Sequence, residues 1–149
     1  MTIIEKVHTH NDARLELADA LAQTFEDVDT YEHLLPALLA DSQQLARLKH
    51  RYWYASLREY LPNDLRLERA QQLELHINNL LQVIEQYQAG TSPWQASCQQ
   101  LNSALQELNA CDLSLAHLAA QRVSAAQLES WGAQFQRGLQ QTVATAHVA

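Results

Sequence analysis

Apolar residues in this chain recur mostly at steps of three and four positions, the spacing that places them on one face of an α-helix. The clearest runs are Ala70, Leu73, Ile77, Leu80, Ile84 and Tyr87, then Trp94, Cys98, Leu101, Leu105 and Leu108, and finally Leu128, Trp131, Phe135 and Leu139. No segment shows a competing strand pattern. The periodicity predicts five helices, near residues 3–28, 31–61, 64–89, 93–120 and 124–146.

Signals for helix ends separate these runs. The expected starts are Thr2 with Glu5, Asp64 after Pro62, Ser92 before Pro93, and Ser124 with Gln127. Gly90 is expected to end the third helix. Two features disturb the pattern: Pro36 is expected to kink or restart the second helix, and residues 109–112 to interrupt the fourth.

The composition agrees with an all-α fold. The chain has 149 residues, the size of one domain, with only 3 Gly and 3 Pro. Because turns consume these two residues, their scarcity favours long helices with short connections. No internal repeat of solenoid length is visible. We expect residues 1–149 to form a single domain, an antiparallel helical bundle of four to five helices.

The two cysteines indicate the compartment. Cys98 and Cys111 fall on one predicted helix, roughly 20 Å apart, and so are too distant to form a disulfide. The N-terminus lacks the apolar core of a signal peptide, and no apolar run is long enough to span a bilayer. We therefore expect a cytoplasmic protein that does not insert into membranes.

Charge is unevenly distributed along the chain. Residues 1–41 hold two basic and nine acidic residues, a net of −7, whereas residues 42–69 hold six basic and three acidic residues, a net of +3. The acidic residues of the first helix form one stripe: Glu5, Asp12, Glu16, Asp19, Glu26 and Asp27. The stripe is either a solvated outer face or a docking face for a basic partner. Arg14 is anomalous, because it shares the opposite, apolar face with Val7, Ala18, Leu21 and Phe25.

Residues 45–63 combine arginines with aromatic residues. On a helical wheel Arg47, Arg51 and Arg58 form one stripe with Tyr54 beside them. An apolar flank expected in the core contains Trp53, Leu57 and Tyr60. Three arginines in a chain with a pI near 5.4 make a poor footprint for nucleic acid. The arginines therefore form an edge suited to carboxylates, either of this protein or of a partner. We predict that the partner-binding residues are Arg47, Arg51, Tyr54 and Arg58.

No catalytic or metal-binding motif is visible. Glu5 and His8 have the spacing of one Glu-x-x-His pair, but a carboxylate-bridged metal bundle needs a second such pair. The chain also lacks a Gly-rich phosphate loop and a nucleophile elbow. Cys98 lies on an apolar stripe, which favours a buried structural thiol over a nucleophile. We predict no enzymatic activity, no catalytic residues, no metal and no cofactor.

These observations favour a non-enzymatic protein-protein interaction module, such as a chaperone, adaptor, inhibitor or small regulatory subunit. The motive is the charge-poor segment 90–149, whose Trp94, Leu101, Trp131 and Phe135 exceed what we expect an internal core to absorb. The same surface could also pair two copies as a homodimer.

The alternative is a bundle that binds a small molecule or a metal between its helices, at a site lined by His50, Tyr52, Trp53, Glu5 and His8. Both hypotheses remain open at the level of sequence.

Overall fold

A computed structural model of the chain consists of long helices joined by short connections. It describes residues 1–24 and 26–148, with side chains up to residue 141. The helices are α1 (Ile3–Gln23), α2 (Val28–Lys49), a π-helical segment (His50–Tyr54) that continues α2 into the short α3 (Ala55–Leu57), α4 (Leu65–Gln86), α5 (Ser92–Arg122) and α6 (Ala125–Val148). No strand occurs in the described ranges. The predicted all-α bundle is confirmed.

Several helix starts follow the predicted capping chemistry. The side chain of Thr2 accepts a hydrogen bond from the Glu5 N–H at 3.4 Å, and Asp64 accepts one from the Arg66 N–H at 2.9 Å. Ser124 accepts one from the Gln127 N–H at 3.2 Å. These oxygens satisfy N–H groups that have no partner within the first helical turn.

Other boundaries differ from the predictions. Helix α1 ends at Gln23, so Glu26 and Asp27 are not part of its acidic stripe. Asp27 instead caps α2, since its carboxylate accepts hydrogen bonds from the Thr30 N–H and hydroxyl. The N-cap of α5 is Thr91 rather than Ser92.

Two predicted irregularities do not break their helices. Pro36 lies inside α2, which does not restart there. Residues 109–112 lie inside α5, which runs uninterrupted from Ser92 to Arg122. Asp112 does not compete for the backbone of its own helix, because its carboxylate accepts hydrogen bonds from side chains of other helices.

Helices α1, the continuous α2–α3 unit, α4 and α5 form an up-down-up-down bundle. In each neighbouring pair a residue later in one helix contacts one earlier in the other, so the helices are antiparallel. Helices α1 and α2 are joined by Arg14–Ser42 and Asn11–Lys49, and α2 and α4 by Ser42–Asn78 and Lys49–Glu74. Helices α4 and α5 are joined by Arg69–Glu107 and Arg66–Cys111, and α1 and α5 by Asp19–Asn102 and Asn11–Asp112. All four helices therefore meet at the level of Lys49.

Helix α6 packs against the outer surface of α1 and α2, along the groove between them. A Cβ atom on Gly132 would lie 2.7 Å from the Met1 carbonyl oxygen, and one on Gly138 would lie 2.5 Å from the Leu48 side chain. Glycine at these positions allows α6 to approach its neighbours closely.

The interior contains most of the large apolar residues that the sequence assigned to it, but Tyr87 is exposed just beyond the end of α4. Trp53 and Leu57 are fully buried, which confirms their predicted core position, whereas Tyr60 of the same flank is exposed. Phe25 lies outside the described residues.

The residues thought to exceed the capacity of a core, Trp94, Leu101, Trp131 and Phe135, are all buried within the chain. That motive for a partner surface on residues 90–149 was wrong, because these side chains pack inside the bundle. Trp94 donates to the Tyr31 hydroxyl at 2.9 Å, Trp131 packs against the Tyr60 ring, and Phe135 packs against the His10 ring. No helix in the described part is both long and apolar enough to cross a membrane.

Candidate functional site

Four charged side chains meet at the centre of the bundle, and we call them the charge cluster: Arg14, Lys49, Glu74 and Asp112. None exposes more than 5% of its surface. Two guanidinium nitrogens of Arg14 donate to the two Glu74 oxygens at 2.8 and 3.1 Å. The Lys49 ammonium donates to Glu74 at 2.7 Å and also to Asp112. The two cations balance the two anions, which is the condition for burying such groups.

The Asp112 carboxylate receives three further hydrogen bonds. Its Oδ2 accepts from Asn11 Nδ2 at 2.8 Å, and its Oδ1 accepts from Trp53 Nε1 at 3.2 Å and from the Tyr54 hydroxyl at 2.9 Å. Together with Lys49 these donors occupy the lone pairs of both oxygens. A lysine ammonium therefore fills the place where helical bundles commonly build a ligand or metal site.

The cluster sets the protonation of its members. Burial disfavours the charged form of Glu74, but Lys49 and Arg14 outweigh burial and lower the pKa of this carboxyl to about 2. Burial, together with the nearby Asp112 and Glu74 charges, raises the pKa of Tyr54 well above its usual value. At neutral pH Glu74 is therefore ionised and Tyr54 keeps the proton that it donates.

The π-helical segment places consecutive residues on the cluster. Its defining hydrogen bond runs from the Ala55 N–H to the His50 carbonyl, five residues apart. This wider turn lets Trp53 and its neighbour Tyr54 both point inward and reach the same carboxylate oxygen. Short π-helical segments inside α-helices frequently occur at functional sites.

Beside this segment a cleft of about 620 Å³ opens between the continuous α2–α3 unit and α4, and we call it the cationic cleft. Its floor is formed by Tyr54 and Glu74, its rim carries Arg47 and Arg58, and Leu75 lies on the α4 side. Leu75 is 68% exposed, which is unusual for a large apolar residue beside a cavity. The volume lies in the range of known ligand sites.

The rim of the cationic cleft carries positive charge that no described carboxylate neutralises. Both arginines are exposed, and neither forms an ion pair with any residue that the structure describes. Arg58 donates to the Gln71 amide oxygen at 3.2 Å, and the amide nitrogen of Gln71 lies 3.3 Å from His50 Nδ1. Because the charge cluster beneath is neutral, the two arginines leave the cleft with a net positive charge.

The structure brings together three of the four predicted partner-binding residues. Arg47, Tyr54 and Arg58 line the cationic cleft, whereas Arg51 does not, although it is exposed on the same helix. The Arg51 guanidinium lies over the Tyr52 ring, 5.2 Å from its centre. Tyr54 is 1% exposed and its hydroxyl points to Asp112, so this residue forms the floor rather than an outward contact.

The residues of the alternative site do not converge. His50 lines the cationic cleft, while Glu5, His8 and Trp53 line a separate pocket between α1 and α5. Tyr52 lines neither of them and packs near Gly138. The described residues contain no group of three or more His, Cys, Asp or Glu side chains that could hold a metal ion.

Sequence reasoning identified only Arg14 of the charge cluster. Lys49 and Glu74 were assigned no role, and Asp112 was expected only to help interrupt the fourth helix. A signal was nevertheless present, because Asp112 falls between Leu108 and Leu115 at steps of four and three, and so lies on the core-facing stripe. Charged residues at core positions on four helices, two of each sign, indicate a buried cluster.

Comparisons with known proteins did not identify a family for this chain. A scan against protein-family models and searches of curated proteins and of solved structures each found no match. The chemistry of the cationic cleft is therefore the basis for inferring function.

Proposed function

We propose that this protein is a non-enzymatic interaction module whose cationic cleft receives an acidic helix of a partner protein. The observation that carries the proposal is the pair of exposed arginines, Arg47 and Arg58, with no carboxylate partner on the rim of a cleft that also exposes Leu75. Charge complementarity favours an acidic occupant. The exposed leucine favours one that also presents an apolar side chain.

The spacing of the arginines supports an elongated occupant. Arg47 and Arg58 are eleven positions apart, which corresponds to roughly 16 Å along a helix. A backbone separation of that size favours an elongated occupant over a single compact anion. Two carboxylates about three turns apart on a partner helix would meet both, with an apolar residue between them against Leu75. This arrangement is the helix-in-groove mode of recognition.

The cluster beneath the cleft supports a binding role rather than a catalytic one. Glu74 and Tyr54 are the titratable groups of the floor, and both are engaged in hydrogen bonds within the bundle. A catalytic acid or base needs to exchange its proton with a substrate. Glu74 is held ionised by two cations, and Tyr54 is committed to Asp112, so the floor acts as a rigid base for the rim.

The proposal also includes the cellular compartment. Cys98 and Cys111 are both free thiols, and burial raises the pKa of Cys98 to about 11. Free, unreactive thiols suit a reducing compartment, so we propose that the protein acts in the cytoplasm.

The test uses site-specific cross-linking in the native host. A photoreactive residue at position 75 should cross-link a partner in the wild-type background and in Arg51→Glu, which changes an exposed arginine outside the cleft. The double variant Arg47→Glu/Arg58→Glu should lose the cross-link, because reversed charges repel an acidic helix. The cross-linked partner peptide should be a helix with two acidic residues about three turns apart.

A charge swap completes the test. Changing those two acidic residues of the partner to arginine should restore binding to Arg47→Glu/Arg58→Glu and abolish binding to the wild type. A cross-link that survives the double variant but is lost in Arg51→Glu would contradict the proposal. So would a small organic anion that co-purifies with the wild type and is absent from the double variant.

A further inference from the structure

The acidic stripe of α1 stays on the surface when the bundle forms. Its members within the helix are Glu5, Asp12, Glu16 and Asp19, and all four are exposed. Asp12 pairs with His8 at 3.2 Å, and Asp19 accepts a hydrogen bond from Asn102 of α5. Glu5 and Glu16 form no ion pair with any residue that the structure describes. These two carboxylates are therefore available to a cation of another molecule.

The spacing of these two carboxylates matches the spacing of the two rim arginines. Glu5 and Glu16 are eleven positions apart, and so are Arg47 and Arg58 of the cationic cleft. Eleven positions are about three turns of an α-helix, so Glu5 and Glu16 lie on one side of α1, within roughly 20° of each other. In the part of the chain that the structure describes, no other two exposed acids on one helix have this separation.

The rest of the outer face of α1 also suits the cationic cleft. Ala13 is exposed between the two glutamates and provides a small apolar side chain that would lie against Leu75. The two basic residues of α1 are both engaged inside the chain. Arg14 is buried against Glu74, and Lys6 donates to the Gln136 side chain of α6 at 2.8 Å. Neither cation therefore offsets the negative charge that the stripe would present to Arg47 and Arg58.

We propose that a second copy of this chain supplies the acidic helix, with Glu5 and Glu16 of its α1 opposite Arg47 and Arg58 in the cationic cleft. The inference rests on the proposed function, because it names the occupant of the same cleft. Helix α1 is diagonal to α4 in the bundle, so the acidic stripe and the cleft face in different directions. The contact is therefore head-to-tail, which builds rings or open chains of copies rather than two-fold dimers.

The test measures the mass of the purified full chain in solution by sedimentation equilibrium over a series of concentrations. The mass of the wild type should rise above the 16.9 kDa of the monomer as concentration increases. It should return towards that value in high salt, because salt screens exposed charges.

Two variants reverse one side of the contact each. Arg47→Glu/Arg58→Glu and Glu5→Arg/Glu16→Arg should each weaken self-association at least about tenfold, since each places like charges together. The matched control is Glu85→Arg/Glu129→Arg, which makes the same change of net charge at exposed acids of α4 and α6 outside both surfaces. It should associate like the wild type.

Mixing the two interface variants separates a specific contact from damage to the fold. Each variant retains the surface that the other has reversed, and the two reversed surfaces are again opposite in charge. An equimolar mixture should therefore associate like the wild type, although each variant alone is monomeric. A mixture that stays monomeric would overturn the inference, as would a Glu5→Arg/Glu16→Arg variant that associates like the wild type.

Failure of this inference is distinguishable from failure of the proposed function. A wild type that keeps the monomer mass at millimolar concentration overturns the inference. If position 75 of that monomeric protein still cross-links an acidic helix of a different protein, the proposed function stands. If it captures no acidic helix, both are overturned.

Discussion

The charge cluster and the rim of the cationic cleft place cations from the same helix in opposite situations. Lys49 is fully buried and is bonded to Glu74, Asp112 and Asn11. Arg47, two residues earlier, is exposed and has no carboxylate partner. A buried charge is tolerated only with partners, so Lys49 is committed to the fold. A solvated charge carries little cost, so Arg47 remains available to another molecule.

The largest expected loss of stability comes from removing the buried cation, Lys49. Lys49→Met leaves Glu74 and Asp112 at the bundle centre with Arg14 as the only remaining cation of the cluster. Removing one partner from a buried charge cluster typically destabilises a protein by about 3–5 kcal/mol. Urea unfolding followed by circular dichroism measures this loss.

A double variant separates charge balance from simple disruption. Lys49→Met/Asp112→Asn removes one charge of each sign and keeps the Arg14–Glu74 pair. Its loss of stability should be smaller than the sum of the two single losses by about 1 kcal/mol or more. Strict additivity of the two losses would show that the cluster is not held together by charge balance.

The next effect depends on pH. The pKa of Glu74 in the folded protein, about 2, lies below its ordinary value of 4.5. A depressed pKa means that ionised Glu74 contributes its full stability above about pH 4.5, and that this contribution falls as pH drops towards 2. The difference in unfolding free energy between the wild type and Glu74→Gln should therefore shrink across this window. A difference that stays constant from pH 6 to pH 2 would contradict the assignment.

The sequence predicted the helices and their apolar faces, but it did not predict the partners within the charge cluster. The helical period fixes which faces are apolar, so the five helices and the burial of Trp53 followed from local spacing. The partners of Arg14 did not, because Glu74 and Ser42 come from other helices and their pairing depends on how the bundle closes. The π-helical segment also carries no clear signal in the residues His50–Tyr54, although it is what brings Trp53 and Tyr54 to one carboxylate.

An exposed ion pair provides the smallest effect on stability and a matched reference for the buried one. Arg69 and Glu107 are paired through two guanidinium nitrogens, much like Arg14 and Glu74, but both are about half exposed. Arg69→Ala should cost no more than about 1 kcal/mol, because water screens the pair. Arg14→Ala should cost several times more. Equal losses in urea unfolding would mean that burial does not distinguish the two pairs.

The central claim is that the charge cluster stabilises the fold whereas the rim binds a partner. Its most direct test uses the variant Arg47→Glu/Arg58→Glu, for which both the affinity for the captured partner and the free energy of unfolding are measured. We predict that unfolding changes by no more than about 0.5 kcal/mol, as for exposed residues in general, while binding is lost. Arg51→Glu should keep both properties. A double variant that binds the partner like the wild type, or one as unstable as Lys49→Met, would contradict this division.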